Sequence, residues 1–523
     1  MKVVLVGAGS REFGPASIRD LLLSDPLCEN GLDIVLMDLD ASELPRMKDY
    51  AEAVAGRLGR SPRLSVTTRL ADALPGADAV VMAIELDRYF YWAQDFHIPR
   101  TFGFPQIYGE NGGPGGLFHA LRNMGPCVDV ARAMERHCPD AWLLNYTNPL
   151  TKLCEAQSRL TDVRVVGLCH GVFHGIEQMA RILGVPTGQL DARASGINHF
   201  TWFESVRDRE TGEDLYPRLK KREREAHLLH DWDEIALSRI LFRVFGRFPS
   251  PGANHIGEYL GWAQEFLGSS VVQFFYDPVE GAPWETGEVP TWIYNLADHP
   301  TDMPAFPGGP VPRMKPTREQ RAAAAEARAA RGGEGAGKMA GASGRAHEGS
   351  GNDASRISGN DVGAESRNDA GGGSGTEASP DNGSVSSAGL DFPGPLTPSG
   401  ELAVPLLEGI LCGVETYLDA VNIPNEGHVP GLPEGSVVEV PARVDASGLH
   451  PRKMQRLPEG ILSLLRTQTS IHQLLVDAFD TGSRGTLLQA LMLDPTTHSY
   501  RAAVNLINEM FRVQGDVLPE MEW

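Results

Sequence analysis

The chain has 523 residues, 41% hydrophobic and 22% charged, which is enough for two or three globular domains with ample core. A formal net charge of −21 argues against nonspecific binding to nucleic acid or an anionic membrane, and an anionic substrate would need a local basic pocket. The six cysteines, at 28, 127, 138, 154, 169 and 412, follow no disulfide framework, no signal pattern precedes the first strand, and no apolar run spans a bilayer, so the expected compartment is the cytoplasm.

In chain order, the apolar runs Val3–Val6, Ile34–Met37, Ala79–Ala83, Trp142–Asn145 and Val163–Leu168 read as parallel strands. Amphipathic stretches at Ser17–Leu23, Leu44–Leu58 and Gly116–His137 alternate with them, as helices do in βαβ units. Residues 176–310 are mixed, with strand-like Phe200–Val206 and Val271–Phe275 and helix-like Glu234–Phe245. Helical periodicity returns over 401–523, notably at Leu402–Cys412, Pro458–Asp480 and Tyr500–Phe511. Residues 313–392 begin rich in Ala and Arg, then turn to Gly, Ser, Asn and Asp with few aliphatic residues. Such a run buries too little apolar surface to offset its ordering entropy, so a disordered insertion is expected there. The expected class is α/β: a Rossmann domain over 1–195, then an α/β substrate domain over 196–312 and 393–523.

Gly7-Ala8-Gly9-Ser10 follows the first strand and opens a helix. Two glycines there allow a tight turn and let a pyrophosphate reach backbone N–H groups at the helix start. The third glycine of the usual pattern is missing, because position 12 is Glu and the next glycine is Gly14. Asp38, ending the second strand, suits the ribose hydroxyls of NAD and disfavours a 2′-phosphate. The competing reading is a plain strand-to-helix turn with Asp38 as a cap.

Cys169 and His170 lie just past a strand end, where open α/β sheets form their ligand crevice. Farther on, Asn198 and His199 interrupt an apolar, aromatic stretch. A thiolate and an imidazole make a plausible partial shell for a divalent ion, left open for substrate or water. Taken singly, the cysteine reads as a small core hydrophobe and the histidine as a satisfied polar residue.

The ordered set Gly7–Ser10, Met37–Asp40, Gly109–Gly116, Asn145–Pro149, Gly167–His170 and Gly196–His199, with Asn422–Asn425 and Val437–Pro441, resembles glycoside hydrolase family 4. The resemblance spans nearly all of the chain outside 313–392. It implies a fold like that of lactate and malate dehydrogenases, with NAD and usually Mn²⁺ as cofactors. The implied reaction oxidises the sugar at C3, removes the C2 proton, eliminates the leaving group, adds water and reduces C3 again; such enzymes depart from the two-carboxylate rule of most glycosidases. By the same resemblance, Gly7, Gly9, Ser10, Asp38 and Glu110 serve the cofactor, Cys169 and His199 hold the metal, and Asn148 and Asn198 contact the sugar. His170 is the candidate proton donor, and its presence argues against a phosphorylated sugar. The base is either Tyr259 or His255. A small-molecule glycoside is the expected partner, and a homodimer or homotetramer the expected assembly.

Cys169-His170-Gly171-Val172 leans toward the subgroup that acts on α-galacturonides, with α-galactosides as the alternative. A galacturonide carboxylate calls for arginine, and Arg239, Arg243 and Arg247 recur at helical spacing, where they also read as a basic face. Two other functions stand against the glycosidase: an ordinary NAD-dependent dehydrogenase, which would accumulate NADH, and a non-catalytic NAD-sensing scaffold. Neither needs the Cys169–His199 pair.

Overall fold

Five apolar runs at the start of the chain become strands of one sheet, joined by a sixth that the sequence reading passed over. These are β1 (Lys2–Val6), β2 (Asp33–Met37), β3 (Arg63–Thr67), β4 (Ala79–Met82), β5 (Trp142–Asn145) and β6 (Arg164–Gly167) in the computed structural model. It describes residues 1–10, 13–105, 107–225, 232–266 and 396–523. The strand expected at 271–275 and the insertion expected at 313–392 lie outside these residues. The six strands pair in parallel in the order β3-β2-β1-β4-β5-β6, the order of a dinucleotide-binding sheet. β3 was illegible because it is an edge strand with no fully buried residue, so no apolar run marks it.

The second half of the sheet joins distant parts of the chain. β7 (Leu190–Ile197) and β8 (Phe200–Asp208) form a hairpin, and β9 (Pro249–Ser250) extends it. β10 (Thr416–Pro424) and β11 (Val437–Asp445), with β12 (Gly448–Pro451) on β11, lie between β6 and β7. The reading of 401–523 as mainly helical is therefore corrected across 416–451. The expected helices do form, as Ala403–Cys412, Glu459–Thr481 and Tyr500–Val513. Short buried apolar runs have no periodicity of their own to separate strand from helix, and neighbours on both sides make these strands.

One row of paired residues crosses the sheet: Thr67, Met37, Val6, Met82, Asn145, Gly167, Asn422, Glu439, Gly196 and Thr201. β6 meets β10, and β11 meets β7, through a single residue pair each, Gly167 with Asn422 and Gly196 with Glu439. Gly167 is required at its junction, since a Cβ there would stand 2.8 Å from the Cys154 sulfur and 2.9 Å from the Asn422 Cβ. The residues just beyond this row include Gly7, Asp38, Asn148, Cys169 and His199. The boundary expected at residue 195 falls inside β7, and the sheet continues across it. No helix of the described residues is long and apolar enough to cross a membrane.

Candidate active site

The glycine turn is shaped by what surrounds it. Gly7 has φ 84°, and a Cβ there would meet the Ala83 carbonyl oxygen at 2.1 Å. The Gly9 N–H donates to Asp38 Oδ2 at 2.8 Å, and the Asp40 N–H donates to Oδ1 at 2.9 Å. Ser10 Oγ accepts from the Phe13 N–H at 3.2 Å, at the start of the helix Phe13–Leu23. Gly14, displaced from the expected third position, still allows close helix–strand packing: a Cβ would lie 2.4 Å from the Ala8 carbonyl oxygen. Asp38 thus spans the turn and the segment after β2.

The two predicted metal ligands, 30 residues apart, come together with Cys169 Sγ 3.4 Å from His199 Nε2. Cys169 follows β6, and its sulfur also accepts the Gly171 N–H at 3.3 Å, at the start of the helix Gly171–Leu183. His199 sits at the two-residue tip of the β7–β8 hairpin with φ 62°, a left-handed conformation that costs a non-glycine residue roughly 1–3 kcal/mol. Burial pushes the Cys169 thiol up to about 12, and the nearby Glu439 carboxylate adds to that shift. Burial, then the neighbouring His255, holds the His199 imidazole well below its usual value, so it is neutral and able to coordinate. Asn198 reaches Glu439 Oε2 with its Nδ2 at 3.3 Å, while its Oδ1 is buried without a hydrogen-bond partner among the described residues.

Glu110 and His255 close on the same point. The His255 and His199 rings have centroids 4.2 Å apart, and Glu110, His199 and His255 offer ligand atoms all within 4.8 Å of one another. Glu110 Oε2 lies 3.6 Å from His255 Nδ1, and Arg88 donates to Oε1 at 2.7 Å. Glu110, expected at the cofactor, thus stands with the histidines. Its loop is anchored by Glu258, whose Oε1 accepts the N–H groups of Glu110 at 2.7 Å and Asn111 at 3.0 Å. Lys152 adds a hydrogen bond to the Asn111 carbonyl.

The two candidate bases differ sharply. Tyr259 is buried, stacks on Phe200 at 4.9 Å and donates to the Asn198 carbonyl at 3.4 Å. Burial, then the carboxylates of Glu258 and Glu110, pushes its phenol well above the usual value, the reverse of what a phenolate base needs. Burial instead lowers His255, leaving a neutral imidazole. His170 directly precedes the helix Gly171–Leu183, with Nδ1 3.2 Å from Glu401 Oε1 and a side chain 66% exposed. That hydrogen bond raises the His170 imidazole above its usual value. Asn148 accepts the Leu150 N–H on its Oδ1 at 3.3 Å, which leaves its Nδ2 for other contacts.

The chain matches the family description "Family 4 glycosyl hydrolase" over residues 2–185 and "Family 4 glycosyl hydrolase C-terminal domain" over 194–497. It belongs to glycosyl hydrolase family 4. Relatives of this family 4 enzyme include an alpha-glucosidase of Erwinia rhapontici, 28% identical over 98% of each chain. An alpha-galactosidase of Bacillus subtilis is 26% identical over 99% of each chain, and an alpha-galacturonidase of Thermoanaerobacter italicus is 24% identical over 98% of this chain and 96% of the other. Its fold is similar to that of a 6-phospho-alpha-glucosidase from gut microorganisms solved with NAD and Mn²⁺, with a TM-score of 0.67 at 21% identity, covering 100% of this chain and 99% of that one.

Two of the arginines considered for a substrate carboxylate are engaged elsewhere in this family 4 enzyme. Arg239 is buried and donates to Glu223 Oε1 at 2.9 Å, and Arg243 donates to the same oxygen at 2.9 Å. Arg247 lies over the Tyr216 ring at 5.3 Å. The helical spacing of Arg239 and Arg243 was read correctly, but Glu223 on the helix Tyr216–Glu225 claims both charges. Conversely, Glu401 and Glu439 went unassigned. Glu439 stands in a run quoted for the resemblance, whereas nothing local to Glu401 signals its place beside His170.

Proposed function

We propose that this enzyme hydrolyses α-glycosidic bonds of unphosphorylated hexosides, using NAD and a divalent metal, with Mn²⁺ the first candidate. The observation that carries the reading is the 3.4 Å approach of Cys169 Sγ to His199 Nε2. A thiolate and an imidazole that would hold one divalent ion must bring their donor atoms within roughly 3–4 Å of each other. The pair therefore fits a shared ion. The glycine turn stands between β1 and the helix Phe13–Leu23, the place where a dinucleotide sheet receives a pyrophosphate. When bound, NAD supplies reversible oxidation of the sugar, and the ion supplies Lewis-acid stabilisation of the charge that develops beside it.

The chain's own residues divide the remaining work. Cys169 and His199 hold the ion, and the unpartnered Oδ1 of Asn198 and the Nδ2 of Asn148 orient sugar hydroxyls. His255, whose ring centroid lies 4.2 Å from that of His199, removes the C2 proton, with Tyr259 the second candidate. His170 gives a proton to the glycosidic oxygen as the C1–O bond breaks. Glu223 holds Arg239 and Arg243 away from the site, which itself carries the carboxylates of Glu110, Glu401 and Glu439, and this favours a neutral α-galactoside or α-glucoside. An α-galacturonide remains a second reading on the strength of the Cys169–Val172 run.

A panel of aryl α-glycosides, assayed with and without NAD and Mn²⁺, tests this. We expect turnover that requires both, is lost with EDTA and returns with Mn²⁺, and exchanges deuterium out of a C2-labelled substrate. Stoichiometric build-up of NADH without aglycone release would instead establish an ordinary dehydrogenase. Cleavage of the galacturonide alone would reverse the substrate order.

A further inference from the structure

We infer that Glu401 is a positioning residue for His170, setting which imidazole nitrogen faces the glycosidic oxygen. The inference rests on the reading of His170 as proton donor. The His170 side chain is 66% exposed at a helix start, so little packing restrains its ring. Among the described residues its ring meets one polar partner, Glu401 Oε1, 3.2 Å from Nδ1. A carboxylate on Nδ1 holds that N–H and stops rotation about the side-chain bonds, so the protonated ring presents Nε2–H to the leaving oxygen and, once that proton is given, is left neutral with its hydrogen on Nδ1.

Glu401 is itself held firmly, as this role requires. Its N–H donates to Ser399 Oγ at 3.2 Å, and the Ser399 N–H donates to Asp20 Oδ1 at 2.9 Å. The Ser399 hydroxyl donates to the same carboxylate. Asp20 lies on the helix Phe13–Leu23 that follows the glycine turn. Two residues past Glu401, the Ala403 N–H donates to the Tyr146 hydroxyl oxygen at 2.9 Å, and Tyr146 directly follows β5. The segment bearing Glu401 is thus clamped to the helix Phe13–Leu23 and to the end of β5. The Glu401 side chain is only 19% exposed, and its Oε2 is buried without a hydrogen-bond partner among the described residues. A carboxylate held for an ordinary surface ion pair would not be buried in this way.

The test compares Glu401→Gln and Glu401→Asp with the wild-type full chain, loaded with NAD and Mn²⁺, on two glycosides of the same sugar. One carries 4-nitrophenol, which leaves without a proton, and the other carries methanol, which does not. For Glu401→Gln we expect a loss of about 100-fold on the methyl glycoside and less than about 3-fold on the nitrophenyl one, with Glu401→Asp recovering part of the loss. Long-range ¹H–¹⁵N spectra should show a protonated Nδ1 on His170, assigned with His170→Ala, that disappears in Glu401→Gln. Equal losses on both glycosides, or none on either, would overturn the inference. A wild-type chain that cleaves neither glycoside in an NAD-dependent way would instead refute the proposed function, before any variant is made.

Discussion

Glu85 shows how single residues build charge into the floor of this crevice. It follows β4, accepts from His119 Nε2 at 2.8 Å and Asn123 Nδ2 at 3.1 Å, and lies 3.7 Å from Arg88. Burial alone would raise its carboxyl, but His119 above all, with Arg122 and Arg88, brings it down from 4.5 to about 2. A depressed carboxyl stabilises the fold above its unfolded value, and that stability drains away as pH falls from 4.5 toward about 2. Glu85→Gln should therefore cost on the order of 3 kcal/mol at neutral pH, a penalty that shrinks as acid is added. Urea melts of both proteins at pH 7, 4 and 3 would measure it, and a penalty that stays constant down to pH 3 would contradict the assignment. At this scale the sequence marked Cys169, His199 and His170 through their positions after strands or between aromatics. It could not mark Glu85 or Glu401, whose partners come from elsewhere in the chain.

At the scale of elements, the first βαβ unit rests on glycines with opposite tolerances. Gly14 packs its helix onto the turn, with a Cβ position 2.4 Å from the Ala8 carbonyl oxygen and 3.1 Å from the Met47 methyl. Gly56, in the helix Leu44–Leu58, faces open space. Gly14→Ala should destabilise by about 1–3 kcal/mol and weaken NAD binding, through overpacking against backbone. Gly56→Ala should stabilise by about 0.5–1 kcal/mol by removing helix-interior glycine. Thermal melts that move in the same direction for both would defeat this account. The three-residue glycine motif was legible as broken, whereas the substitute at Gly14 needed the packing itself.

Over the whole molecule, the N-terminal sheet does not end at β6. Asn422 of β10 pairs with Gly167 and donates to its carbonyl at 3.4 Å, while Glu408 accepts the Ser24 hydroxyl at 2.6 Å. A fragment of residues 1–195 would leave the β6 edge bare and the first helices without these partners. We expect it to aggregate or bind NAD far more weakly than the full chain, as seen by light scattering and NAD fluorescence titration. A soluble fragment with full affinity would show that the C-terminal strands contribute nothing to this half.

Local chemistry marked much in advance: glycine placement and strand-length apolar runs pointed to a dinucleotide sheet, and a cysteine after a strand brought Cys169 forward as a candidate ligand, all from short windows of residues. Tertiary structure alone decided that residues 416–451 would enter the sheet beside β6, that Glu223 would take Arg239 and Arg243, and that Glu401 would reach His170. The reason is physical. Pattern within a window reports which face of an element is buried, but the partner on that face is chosen by strand order and loop closure across hundreds of residues.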